Sequence, residues 1–251
     1  MNLAELSWPA VDALPRGTPV VFPVAALEQH GRHMPLFTDS LLCGEVVRRV
    51  AVLPRFRDGA VFAPLQWLGN SDHHLDFPGT LSAPPRVYLD SLNGLLENFL
   101  AHGFNRLLFV NGHGGNDVPG KQAVFETRQR HRAHKRQLLL FATYWNLASP
   151  PEGGFVQRQM GHACEWETSM MLRLRPDLVG DLSAVEAVPF GNGFEPASRG
   201  WVMPDRSGPG HVGDPRAATA DKGEVLFATF AGGVAAMLDR VAAWDGTGWD
   251  G

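Results

Sequence analysis

Short apolar runs alternate with helically spaced apolar positions along the first 144 residues. Residues 19–26 (PVVFPVAA), 61–66, 106–110 (RLLFV) and 137–143 (QLLLFAT) are nearly unbroken apolar stretches, the pattern of strands buried on both faces. Between them, residues 40–52 place Leu42, Val46, Val47 and Val50 at helical spacing. Residues 84–102 read as a helix with Pro85 near its start and Gly103 as its stop, and 121–133 as another. Strand and helix in this rhythm predict βαβ units, hence an α/β fold with a largely parallel central sheet covered on both faces. After Tyr144 the rhythm breaks. A loop over 150–159 leads to a helix at 165–174, and 180–216 is rich in Gly, Pro and Asp with little periodicity. A long helix over 217–244 follows. A loop as long as 180–216 inside a compact domain is usually functional.

The chain has 251 residues, with no internal repeat, no low-complexity segment and no domain boundary, so a single domain over 1–251 is expected, with a flexible tail at about 245–251. Its 28 Gly and 19 Pro imply long, shaped loops. A net charge of −4 and scattered basic residues argue against a nucleic-acid partner. The short cluster Arg128, Arg130, Arg132, Lys135 and Arg136 reads as the solvated end of a helix. No stretch approaches about 18 uninterrupted apolar residues, so no membrane partner is expected. The start has no signal-peptide pattern. With only Cys43 and Cys164 there is no disulfide framework, and a cytoplasmic location is the expectation.

Three clusters carry candidate chemistry. Just after the first strand, Glu28 and His30 lie two apart, so an extended segment points them the same way, and Asp39 follows. Sites in parallel sheets form at the carboxyl ends of strands, and a carboxylate, an imidazole and a second carboxylate suit a divalent metal. A capping Glu28 with surface His30 and His33 is the plain alternative. After the third strand, Asn111-Gly112-His113-Gly114-Gly115-Asn116 sets a His among glycines, which allow positive φ and close backbone approach. It also reads as a simple strand-to-helix turn. The third cluster is Gly161-His162-Ala163-Cys164-Glu165-Trp166-Glu167. Glu165 and Glu167 point about 200° apart on a helix, so one of them faces a site. Glu167 borders the apolar Met170, Met171 and Leu174 face, although a capping role also suits a carboxylate there. Trp166 reads as core or as a substrate wall, and Cys164 as an inert small hydrophobe. Together these residues suffice for a two-metal hydrolytic centre with a shared carboxylate. The Gly112–Gly115 run has no Walker lysine and is no nucleotide loop.

These blocks, with Phe77-Pro78-Gly79-Thr80-Leu81-Ser82 and Gly213-Asp214-Pro215, resemble in content and order the creatininase (creatinine amidohydrolase) family over roughly residues 18–225. The resemblance implies a three-layer α/β/α sandwich and a binuclear Zn or Mn centre. Glu28, His30, Asp39 and His113 would be ligands, with Asp39 bridging. Creatinine-cleaving members carry a Glu ligand where Gly115 stands; relatives sharing the NGHGGN pattern are expected to supply it from the position of Glu167. His162 matches the family's acid/base histidine, so His162 and Glu167 are the expected catalytic pair. Ser71 and His74 match polar positions near the substrate, and Gly114 and Trp166 complete the expected substrate contacts. Asp72 and His73 read as solvated loop residues. Asn111 and Asn116 are candidates for fixing the ligand imidazoles. The implied activity is hydrolysis of an amide-type C–N bond in a small molecule or short peptide. Creatinine, a formamide or a precursor peptide would be the substrate. The implied assembly is a homo-oligomer, a hexamer. A non-enzymatic metal-binding or assembly protein on the same scaffold is the alternative and predicts no open coordination position. The loop 190–211, with Trp201, Met203, Asp205, Arg206 and His211, reads as a lid or a subunit contact.

Overall fold

The computed structural model describes residues 1–191 and 193–248. Four parallel strands, β1 (Val20–Val24), β2 (Val61–Phe62), β3 (Arg106–Asn111) and β4 (Leu138–Thr143), lie in the order β2-β1-β3-β4. The helices are α1 (Trp8–Asp12), α2 (Thr38–Ala51), α3 (Pro54–Arg57), α4 (Pro85–Ala101), α5 (Asp117–Arg130), α6 (Glu165–Leu174) and α7 (Ala220–Ala243). Side chains alternate across the sheet, as a period of two demands. Val20, Phe22, Val24, Leu107, Phe109, Leu139 and Phe141 join Tyr88, Leu92 and Leu96 of α4 and Ala123 of α5. Val21, Leu108, Val110 and Leu138 join residues of α2, α6 and α7 on the other face. This is the parallel, doubly covered sheet that the apolar runs predict, in the three-layer α/β/α sandwich that the family resemblance implies.

Differences from the predicted bounds have local causes. The run at 61–66 pairs only over Val61–Phe62, because Pro64 cannot donate to a ladder; Gln66 then rejoins β1 through Pro23 and Ala25. Pro23 sits inside a central strand because its missing N–H faces that interruption. α5 begins four residues early, since Pro119 falls in its first turn, where an N–H would go unused. α7 starts at Ala220, where the Thr219 hydroxyl accepts the Lys222 N–H. It is long and apolar enough to cross a membrane by length and composition, but Leu226, Phe227, Phe230 and Val234 pack into the core with α2 and α6. Of the expected tail, 245–248 close a turn in which the Asp245 carboxylate accepts the N–H groups of Thr247 and Gly248; residues 249–251 lie outside the described residues.

Candidate metal centre

Every group at the site sits at a strand's carboxyl end or a helix's amino end. Glu28 and His30 follow β1, and His113 follows β3. Asp39 lies in the first turn of α2 and Glu167 in that of α6, where helix dipoles favour carboxylates. All five are essentially buried. Among the described residues four groups of three donors come together. Glu28 with His73 and His74, and Glu28 with His30 and His162, are two of them; the two triads built from these five residues alone are Glu28, Asp39 and His113, and His30, Asp39 and Glu167. Within each, one ligand atom per residue lies within 4.8 Å of the others. Asp39 belongs to both. Its Oδ1 is 3.0 Å from His30 Nε2 and its Oδ2 2.9 Å from His113 Nδ1. Glu28 Oε1 is 3.3 Å from His113 Nδ1, and Glu167 Oε1 is 3.9 Å from His30 Nε2.

The tautomers follow from backbone contacts. His30 donates from Nδ1 to the Glu28 carbonyl at 3.0 Å, and His113 donates from Nε2 to the Asn70 carbonyl at 2.9 Å. Each neutral ring therefore aims a lone pair at carboxylate oxygens. Glu28 Oε2 and Asp39 Oδ2 are buried with no hydrogen-bond donor. Lone pairs facing lone pairs in a buried site repel unless a proton or a cation lies between them. The donor set therefore fits a pair of divalent cations, with N and O ligands suited to zinc or manganese. Backbone carbonyls, rather than Asn111 and Asn116, hold the ligand rings. Asn111 instead bonds the backbone of His113, and Asn116 bonds the Ala25 carbonyl.

The charges and burial around His30, His113 and Glu167 favour their protonated forms. Burial would lower the His30 pKa, but Asp39 outweighs it, helped by Glu167 and Glu28, and lifts it to about 9. His113 rises well above the usual imidazole range, with burial outweighed by Glu28 and Asp39. Burial pushes Glu167 up to about 7; His30 opposes this and Asp39 reinforces it.

His162 precedes α6 and lines the cavity beside the triads. Its Nε2 donates to the Gln29 carbonyl at 2.8 Å, and its Nδ1 lies 3.5 Å from Glu28 Oε1. Burial, then the charges of His30 and His74, hold it well below its usual pKa, so it is neutral. Ala163, at φ 49°, turns its N–H onto Glu167 Oε2 and thereby aims that carboxylate.

The expected substrate contacts divide. His74 and Gly114 line the cavity. The Gln29 amide donates to His74 Nδ1 at 2.6 Å, which turns His74 Nε2 toward Glu28, 3.4 Å away; burial lowers this ring to about 3. Ser71 does not reach the cavity: it is fully buried, with Oγ 3.3 Å from His113 Nε2, and supports that ring. Trp166 is no cavity wall either. Its position on α6 turns the indole into the core against Phe155 and Phe230, 5.9 Å away in each case. His73 is not a solvated loop residue: it lies over His113 and against Trp201. Gln29 and His73 were missed as site residues. Alternation hid Gln29, because it turns the residue between Glu28 and His30 to the opposite side, where its amide reaches His74 Nδ1 and the Gly210 carbonyl.

Gly112 and Gly115 serve close approach rather than positive φ, since neither has a positive φ, whereas a Cβ on Gly114 would stand in open space. A Cβ on Gly112 would collide with Cys43, and one on Gly115 with the Asn70 carbonyl and the His113 ring. The carbonyl that fixes His113 thus occupies the place a Glu side chain would need.

The cavity has a volume of about 750 Å³ and reaches from the triads to Trp201 and Arg206 of the 190–211 loop, which forms its outer wall.

The family model described as "Creatininase: Creatinine amidohydrolase" matches residues 4–238. A mycofactocin precursor peptide peptidase of Mycobacterium ulcerans (strain Agy99) is 32% identical, over 96% of this chain and 92% of its own length. A creatinine amidohydrolase of Pseudomonas putida is 31% identical, over 93% and 94%. A solved variant creatininase described as Zn-Zn type superposes with a TM-score of 0.80 at 29% identity, covering 97% of this chain and 98% of that one. With the family model running nearly end to end, the chain belongs to the creatinine amidohydrolase family.

Proposed function

We propose that this protein is a metal-dependent amidohydrolase that cleaves an amide-type C–N bond in a small molecule or short peptide. The observation that carries this reading is Asp39, one carboxylate shared by two donor triads. Relatives named as an amidohydrolase and a peptidase support the reaction class. Glu28, Asp39 and His113 would hold one divalent ion, and His30, Asp39 and Glu167 the other, as zinc or manganese. Such a pair supplies Lewis acidity and water acidified to near neutrality. The chain does the rest. His162, neutral and with its Nε2–H tied to Gln29, offers a free lone pair at Nδ1, which takes a proton and returns it to the leaving nitrogen. His74 orients the Glu28 carboxylate from its Nε2. The Asn70 and Glu28 carbonyls keep His113 and His30 in register.

Hydrolysis of a panel of creatinine, formamides and peptides by zinc- or manganese-loaded protein tests the reading, with Asp39→Ala as the control. Two bound metals, no exchangeable ligand position and no turnover across the panel would favour the non-enzymatic alternative. The assembly belonging to this reading is a homo-oligomer, a hexamer by family resemblance. Exposed Val118, Phe125 and Val87 on the α4–α5 side support it, and light scattering measures it. A cytoplasmic location is also part of the reading, supported by the two free, buried cysteines.

A further inference from the structure

The 190–211 loop brings two guanidinium groups to the mouth of the cavity. Arg206 lies half-buried with its guanidinium 4.6 Å from the centre of the Trp201 ring. Trp201 meets His73 edge-on at 4.9 Å, and His73 stacks 5.7 Å from His113 at 18°. Three ring contacts therefore lead from Arg206 to a metal-ligand candidate. Arg199 stands beside Arg206, and a second hollow lined by Gly191, Ser198, Arg199, Trp201 and Arg206 opens between them, with no acidic residue in its wall. Among the described residues, neither guanidinium has a carboxylate within 4 Å. Burial first, and then the like charge of Arg199, disfavour the Arg206 cation. Arg199 is exposed, so the cost falls on half-buried Arg206, braced on the indole beside a like charge, and a bound anion would relieve it.

We propose that Arg199 and Arg206 form a subsite for a carboxylate carried by the substrate, so that the protein prefers acidic amides. This rests on the hydrolase reading above and narrows its substrate class. The guanidinium fork matches a carboxylate in plane, and stacking on Trp201 presets its orientation. The contact path to His113 is within reach of a few extended peptide residues at roughly 3.3 Å each. The carboxylate therefore belongs to a short peptide or a comparable acid whose C–N bond lies at the triads. Neutral, compact creatinine has no group for this subsite.

The test uses zinc-loaded full-length protein and three probes: N-acetyl-trialanine, its C-terminal carboxamide, and the carboxamide of an N-acetyl tripeptide with a central aspartate. Binding is read by calorimetry and turnover by amine release. The expected result is at least about tenfold tighter binding of the free acid than of its carboxamide, the scale of one charge-assisted bidentate pair. That ratio should fall to near unity in the double variant Arg199→Gln/Arg206→Gln and recover only partly in Arg206→Lys. Preference for the aspartate probe over trialanine would assign the subsite to an acidic side chain rather than a chain terminus. Equal binding of all three probes, free acid, carboxamide and aspartate peptide alike, by the unaltered protein overturns the proposal. So does an acid preference that survives in the double variant, since the metals would then be its source. Binding decides the subsite even without turnover, whereas absence of turnover with every probe counts against the hydrolase reading alone. Metal content and circular dichroism confirm that the variants fold.

Discussion

Glu165 and Glu167 stand two residues apart in the first turn of α6 and serve opposite sides of it. Glu167 turns its Oε1 toward His30, 3.9 Å away, while Glu165 accepts the N–H groups of Val156 and Gln157 and pairs with Lys222 Nζ at 2.6 Å. Glu167→Gln is therefore expected to weaken one metal equivalent by at least about 100-fold, more than the loss of a supporting partner costs. Glu165→Gln should keep both metals but lower stability by about 1–3 kcal/mol, as a buried charged hydrogen-bond acceptor is lost. Metal stoichiometry beside thermal denaturation separates the two, and the reverse pattern would refute the ligand assignment.

The sharing of Asp39 makes a different demand. Its Oδ1 and Oδ2 face His30 and His113 respectively, so Asp39→Ala should abolish tight uptake of both equivalents. His113→Ala removes a ligand only from the triad with Glu28 and should leave the other equivalent measurable. Stepwise titration with a competing chelator measures this, and full occupancy in Asp39→Ala would overturn the shared-carboxylate geometry.

Much of this was readable from the chain because the informative signals are local. Nearly unbroken apolar runs and helical spacing placed the sheet and its covering helices, and the strand-end positions of Glu28, His30 and His113 follow from those elements. The choice of Glu167 over Glu165 was legible from its place beside the Met170 and Met171 face. Contacts between distant segments were not legible. That Asn70 would hold His113, or that Ser71 would support this ring instead of the substrate, depends on where residues 69–74 land against β3. Trp201 and Arg206 lie in a segment whose Gly and Pro content erases periodicity, so nothing in their spacing tied them to His73.

The raised pKa values of the ion-free site set a pH dependence for metal uptake. Asp39 pushes His30 up to about 9, and Glu28 and Asp39 push His113 well above the usual imidazole value, so at pH 7 metal-stripped protein is expected to hold protons that cations must displace. Affinity should rise steadily from pH 6 to 9, and calorimetry in buffers of different ionisation heat should show proton release. The sign for the empty protein's stability is the reverse. A folded-state pKa raised from 6.5 to about 9 stabilises fully below about 6.5 and loses that contribution as pH climbs through 9. The chelated protein should therefore melt at lower temperature at pH 9 than at pH 6.5, while the loaded protein loses less. Uptake independent of pH would mean that the imidazoles are unprotonated in the empty site.

Gly115 offers the sharpest contrast with creatinine-cleaving relatives, which by family resemblance carry a Glu ligand at that position. Restoring the carboxylate would not restore their site. A Cβ at Gly115 meets the Asn70 carbonyl, which is backbone, and the His113 ring that this carbonyl positions. Gly115→Ala alone should cost about 1–3 kcal/mol from overpacking, and Gly115→Glu at least as much, with weaker binding of the ion held by His113. Both effects arise before any new ligand could form, so neither variant should gain creatinine hydrolysis. Thermal unfolding and metal content of the two variants check this. A Gly115→Glu protein that kept its melting temperature and both metals would show that residues 69–71 can yield, and that Glu167 holds its place by history rather than by want of room.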